Sequence, residues 1–475
     1  MAALTTRELN RVLLARQGLL AREQVPVEAM VERLVGQQAQ EPVDPYIGLW
    51  SRVAGFEPEE LSGLLERREA VRISLMRATI HLVTAADCAA LRPVTQDVHV
   101  RTARSQFRRQ MDGIDETELL AAGRALLHEK PWLGADLGRA LAPRWPDADP
   151  WVLQVVNRYH HALVQIPPRG LWRRSGRALH VLAEDWLGRP LDAATDPAPA
   201  LRRYLAAFCP ASVADMRTWS GLAGLREVVE RMRPELRTFT DERGRELFDV
   251  PRAPLPDPDA PAPPQFLSAF DNALLSHADR IRIIAEKHRE ALFKDPLMRG
   301  VLLDGFARAT WKTERSRGPA TLVIEPFEPL PRRAPICSPS WRWTSTTATF
   351  DWSGTTGRRI RPRRRAAAAV PIQGSTGAQG RPTLLACWRV GCVELVRGRV
   401  VERMGELVAV EPGEQDRRDG EKHGHDAGDE ENGGETEGGT CRAGDRHGDR
   451  HQGQRDEEVE ARDPATQAIR NPALE

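Results

Sequence analysis

The stretch "ASVADMRTWSGLAGLREVVERM", Ala211–Met232, decides how this chain folds. It has a short amphipathic segment, a Ser220-Gly221 turn and a second segment, expected to be the longer, with Leu225, Val229 and Met232 on one face. That is the pattern of a helix-turn-helix. Directly after it, "LRTFTDERGRELFDV" (236–250) is β-rich and turns on Asp241-Glu242-Arg243-Gly244, which predicts a hairpin. A further helix precedes both, in "PALRRYLAAFCP" (199–210). Three short helices closed by a β-hairpin make a winged helix.

The same order occurs twice upstream. The first copy opens at "TTRELNRVLLARQGLL" (5–20), where Thr5 and Glu8 have the spacing of a capping box. Pro26 and Pro58 each open another helix, and "AVRISLMRATIHLVT" (70–84) follows as a hairpin folded about Met76 to Thr79. The second copy runs through "DETELLAAGRALLHE", "GADLGRALAPRW" and "DPWVLQVVNRYHHAL", and ends in "VQIPPRGLWRRSG" (164–176), turning at Pro167 to Gly170. The expected architecture is α+β: winged-helix domains at 1–100, 101–196 and 197–250, a Pro-rich linker at 251–264, and an α/β segment of two or three strands at 265–333. Beyond it, from 334 to 475, no helical or strand period persists, and "GEQDRRDGEKHGHDAGDEENGGETEGGTCRAGDRHGDRHQGQRDEE" has almost no large apolar side chain to offset its ordering entropy. That tail is expected to be mostly disordered, and the abrupt change suggests a shifted reading frame.

Bulk composition excludes little. Net charge is +1 over 475 residues, so only local clusters speak about partners. Six cysteines lack metal-type spacing, there is no secretory leader pattern, and no apolar run reaches the ~20 residues of a membrane span. A cytoplasmic, nucleoid-associated monomer with reduced thiols is expected. His423, His425, His447 and His451 read as part of a solvated low-complexity tail rather than a metal tract. Asp271, Asn272, His277 and Asp279 in "DNALLSHADR" read as a capped interdomain helix, so no metal and no cofactor is expected. Nucleotide-binding and common hydrolase motifs are absent.

Arginines mark the expected wings: Arg72 and Arg77 on the first, Arg169, Arg173 and Arg174 beside Trp172 on the second, Arg237, Arg243 and Arg245 on the third. Arginine at hairpin tips can hold phosphates or enter a minor groove, so double-stranded DNA is the expected partner. The plainer alternative is that arginine is simply the surface cation of this chain.

"QQAQEPVDPYIGLWSR" (37–52), "SLMRATIHLV", "VQIPPRGLWRRSG", "FLSAFDNALLSHADR" and "VLLDGFARATW" together resemble the bacterial winged-helix proteins that include the AlkZ-type DNA glycosylases. The resemblance spans residues 4 to 330 in order. It implies three tandem winged helices wrapped into a C-shape and excision of N7-alkylated, including crosslinked, guanine from DNA. The family's Gln–apolar–Gln motif falls on Gln38, Ala39 and Gln40, with Gln37 as a neighbouring contact. Such a base is already cationic and leaves without a general acid. Two amide oxygens can orient the attacking water at any pH, without the cost of burying a carboxylate. Arg77 would hold a phosphate near the lesion and His81 would bond sugar or phosphate. The competing readings are that Gln38 and Gln40 satisfy backbone groups at a helix end, that His81 is a half-buried strand residue, that Tyr46 and Trp50 are core, and that the protein is a non-catalytic winged-helix regulator.

Overall fold

The N-terminal strand and helix pack on the third hairpin, over 230 residues away in sequence. β1 (Ala3–Leu4) runs parallel to β8 (Arg237–Asp241), which pairs antiparallel with β9 (Glu246–Asp249), giving a sheet of order β1-β8-β9. α1 (Thr6–Arg16) starts with the expected capping box: the Thr5 hydroxyl accepts from the Glu8 amide, and the Glu8 carboxylate accepts from the Thr5 amide. Its Arg16 forms a buried bidentate ion pair with Asp249, and the Gln17 amide donates to Ala207 O. Burying such a pair requires that each lone pair and N–H be met, and here both carboxylate oxygens are.

α2 (Val27–Arg33) and α4 (Pro58–Glu66) form where the prolines place them. Between them are two elements the proline-punctuated stretch did not reveal: β2 (Gln37–Gln38) and α3 (Asp44–Trp50), every residue of which is buried. Pro45 takes an early helical position, where its missing N–H costs nothing. β3 (Ala70–Ser74) and β4 (Ile80–Thr84) make the first hairpin, turning through Arg77 and Ala78, both at φ 56°. α5 (Ala85–Phe107) continues directly from β4.

The second helical set is α6 (Glu116–Glu129), α7 (Gly134–Leu141) and α8 (Pro150–His160), with β5 (Trp132–Leu133) between the first two. β6 (Leu163–Gln165) and β7 (Leu179–Leu182) then pair across a long loop, so the turn is far wider than Pro167–Gly170 alone. The reason lies in that loop's anchors: Tyr46 Oη donates to Gly170 O (2.7 Å), and the Trp172 amide donates to Ser62 Oγ (3.0 Å). β3 also pairs with β6, which merges the first two hairpins into one antiparallel sheet of order β2-β4-β3-β6-β7-β5.

After α9 (Ala183–Leu187) and α10 (Ala198–Phe208), α11 (Val213–Ser220) and α12 (Leu225–Met232) form the helix-turn-helix pair. They are equal in length, eight residues each, rather than short and long. Gly221 ends α11 in the left-handed region (φ 78°). A side chain there would meet Val98 at 3.0 Å and the Arg77 backbone at 3.3 Å, so the turn sits against the first hairpin.

The C-terminal segment holds β10 (Gln265–Phe266), α13 (Asn272–Leu275), α14 (Glu286–Lys294), β11 (Gly300–Leu303), β12 (Phe306–Arg315), β13 (Ala320–Pro326) and β14 (Ala348–Phe350). The strands form one antiparallel sheet in sequence order. Asp271 belongs to this segment yet is buried in a bidentate pair with Arg52 of the α3 end. Contacts thus cross the boundaries drawn at 100, 196 and 250.

The computed structural model describes residues 3–208, 210–315, 320–329 and 348–350. β14 lies within the stretch read as patternless. Three residues carry no detectable period, and the open edge of β13 supplies their pairing. Otherwise the expectations for 334–475 lie outside the described residues. No helix among those described is long and apolar enough to cross a membrane.

Candidate functional site around Gln38 and Gln40

The Gln-Ala-Gln step lies on the edge of the six-stranded sheet, not at a helix end. Gly36, at φ 84°, brings the chain against β4 so closely that a Cβ would come within 2.5 Å of Val83. Only glycine permits both. Gln37 then pairs with Leu82 and Gln38 with His81, and the Ala39 amide donates to Ile80 O (2.7 Å). Ala39 is fully buried.

Both amide oxygens are held by the first hairpin. Arg77 Nη2 donates to Gln38 Oε1 (2.7 Å), and the Ile80 amide donates to Gln40 Oε1 (2.7 Å). Each carbonyl oxygen has two lone pairs, so one lone pair remains on each. Gln38 is 7% exposed and Gln40 half-buried. Gln37 points to the other side of the strand, where its Oε1 lies against Gly48 and its Nε2 has no partner.

Arg77 is the hub. Its other nitrogen donates to Trp219 O at the end of α11, so one guanidinium joins the hairpin, the motif and the helix-turn-helix. Burial, and then the charge of Arg280, lower its pKa to about 10, which leaves it cationic at neutral pH. Arg280, held to about 10 by burial and by Arg289, was not singled out from sequence; nothing in its spacing marks it. Its guanidinium stacks over Phe293.

His81 is 1% exposed and cannot reach a phosphate in this arrangement. Its Nδ1 lies 2.8 Å from Thr79 O, and burial, with the nearby Arg77 charge, lowers its pKa to about 3. It is therefore a neutral strand residue, more deeply buried than the half-buried alternative.

Arg72 also departs from expectation. It sits mid-strand rather than at a tip, 1% exposed, with Nη2 donating to Ala39 O (2.7 Å). Burial and Arg169 lower its pKa to about 9. Because it grips the carbonyl between the two glutamines, it shapes the motif from inside. Arg169 is half-buried and donates to Gly176 O. Arg173 and Arg174 are exposed, the former near the Trp172 ring. On the third hairpin Arg243 and Arg245 both pair with Asp279, and Arg245 also with Asp241, while Arg237 lies over Phe239. The structure thus brings Gln38, Gln40, Arg72, Arg77 and His81 together, with Arg169 near enough to Arg72 to lower its pKa.

In "DNALLSHADR", Asp271 caps α13 through the Ala273 amide, Asn272 donates to Gly36 O, and His277 is buried. No group of metal-ligating side chains converges among the described residues. Tyr46 and Trp50 are both buried in the α3 core.

A search of the curated proteins returns no match. Among solved structures, the fold is similar to that of the Streptomyces sahachiroi DNA glycosylase AlkZ. The TM-score is 0.57 at 21% identity, over 70% of this chain and 94% of that one. A family model described as DNA glycosylase AlkZ-like matches residues 31–369, which takes in the motif strand, all three hairpins and part of the stretch beyond 333. With a match over well more than half its length, this chain belongs to the AlkZ-like DNA glycosylase family.

Proposed function

We propose that the protein is a monofunctional DNA glycosylase that hydrolyses the N-glycosidic bond of N7-alkylated guanine, crosslinked guanine included, in duplex DNA. The observation that carries this reading is the anchoring of the Gln38 and Gln40 amide oxygens on one hairpin, at Arg77 and Ile80. Oriented this way, the spare lone pairs accept the hydrogens of a water and turn its oxygen toward C1′. As the C1′–N9 bond breaks, its electron pair goes to the cationic base, which departs neutral. Water adds to C1′ and releases one proton to solvent. The amide dipoles stabilise the oxocarbenium-like sugar without changing protonation state.

The three helix-and-hairpin sets serve in this reading as tandem winged helices, working as a monomer in the cytoplasm. Exposed Arg173 and Arg174 of the second loop are proposed DNA contacts. Arg77 is proposed to act through Gln38, and Arg72 through Ala39, rather than on phosphate.

The reading predicts release of 7-methylguanine from methylated duplex DNA by the purified protein. Gln38→Ala with Gln40→Ala should reduce release to background while leaving the thermal midpoint and affinity for undamaged duplex near wild type. Undiminished release by that double variant refutes the assignment. A second reading, a non-catalytic DNA-binding regulator, draws on the burial of Gln38. It requires that wild type bind a preferred sequence and release no base.

A further inference from the structure

On the first and third hairpins Arg72 lies inside and Arg243 and Arg245 are paired with Asp241 and Asp279, which leaves Arg237 as an exposed cation over Phe239. A helix carries more. The C-terminal half of α5 runs into "HVRTARSQFRRQ" (99–110), where Ala103 and Phe107 are buried and Arg101, Arg104 and Arg108 are exposed. At 3.6 residues per turn these three arginines share an arc of about 60°. Among the described residues, the only carboxylate paired with any of them is Glu116, 3.4 Å from Arg104, whose side chain is still 68% exposed.

The stripe begins beside the site. Arg101 Nη2 donates to Gly221 O (3.0 Å), Gly221 packs on the Arg77 backbone, and Arg77 bonds Gln38. We propose that the Arg101–Arg104–Arg108 face of α5 is a phosphodiester track that carries one strand of duplex DNA away from Gln38 and Gln40. The assignment rests on the DNA-acting reading above and adds the surface to it. From Arg101 to Arg108 the helix advances about 10.5 Å, about three nucleotide steps along one strand. Three guanidinium groups at that spacing suit three or four successive phosphates, held as backbone contacts that carry no sequence preference.

The test uses the full chain, wild type against R101A/R104A/R108A and R101K/R104K/R108K, on a labelled undamaged duplex titrated from 50 to 200 mM NaCl, roughly the range over which phosphate contacts show. The alanine variant should lower the slope of log affinity against log salt by about 2 to 3. It should also raise KM for base release at least tenfold with kcat within twofold, and the lysine variant should restore the slope. Arg108→Glu alone, at the exposed helix end, should lower the slope by about one and serves should the triple variant not fold. Tight wild-type binding with an unchanged slope in the variants overturns the track and leaves the glycosylase reading standing. Selective loss of affinity for an acidic protein surface, with DNA binding intact, overturns it too. A wild type that neither binds duplex nor releases base defeats both.

Discussion

At the scale of single residues, Arg77 holds the Gln38 amide, while Gln40 is held by the Ile80 backbone. The Arg77 guanidinium spans Gln38 Oε1 and Trp219 O, and its backbone holds a φ of 56°, which costs a non-glycine residue energy that the surrounding contacts must offset. Arg77→Met keeps the aliphatic stem and deletes the charge-assisted bond. A bond of that kind is worth roughly 1.5–3 kcal/mol, so kcat for base release should fall about 10- to 100-fold while affinity for undamaged duplex changes little. Single-turnover kinetics beside a binding titration separates the two; equal losses in both would make Arg77 a DNA contact instead. Which amide the arginine grips was not readable from sequence, because the partners lie 39 residues apart. The sequence did place both glutamines and Arg77 in the motif segments. It misplaced Arg72, because in a sheet that continues past the hairpin a strand arginine has neighbours on both sides.

At the scale of elements, local signals were read correctly and those set by distant partners were not. The capping box at Thr5, the prolines at the starts of α2 and α4, and the hairpins at 70–84 and 236–250 all depend on residues within a few positions of one another. β2 and α3 depend instead on what lies across from them: β2 exists because β4 is there to pair with, and α3 is buried by strands from the C-terminal sheet. Two residues past the end of α3 comes Arg52, whose pair with Asp271 is sealed from solvent. Arg52→Met leaves that carboxylate without its cation, which should cost roughly 3–5 kcal/mol, seen as a lower urea midpoint. A change under about 1 kcal/mol would mean Asp271 is satisfied by the Ala273 amide and Ser268 alone.

At the scale of the whole molecule, several histidines are locked in their neutral form. Burial lowers His81, His99 and His180 to about 3 and His161 to about 4, with His277 displaced the same way. Each is depressed below its unfolded value of 6.5, so its contribution is complete above that pH and is lost as pH falls toward 3. Asp44, raised to about 7 by burial, works in the opposite sense between its unfolded 3.8 and 7 and offsets about one of them. Unfolding at pH 5 should therefore take up about four protons, and the thermal midpoint should drop clearly from pH 7.5 to pH 5. A midpoint flat across that range would show that these rings reach water. The pairing of β3 with β6, two residues long, has a mechanical corollary. That short ladder makes the sheet bearing the glutamines continuous with the strands that flank the Pro167–Gly176 loop, so a displacement of either region strains the other.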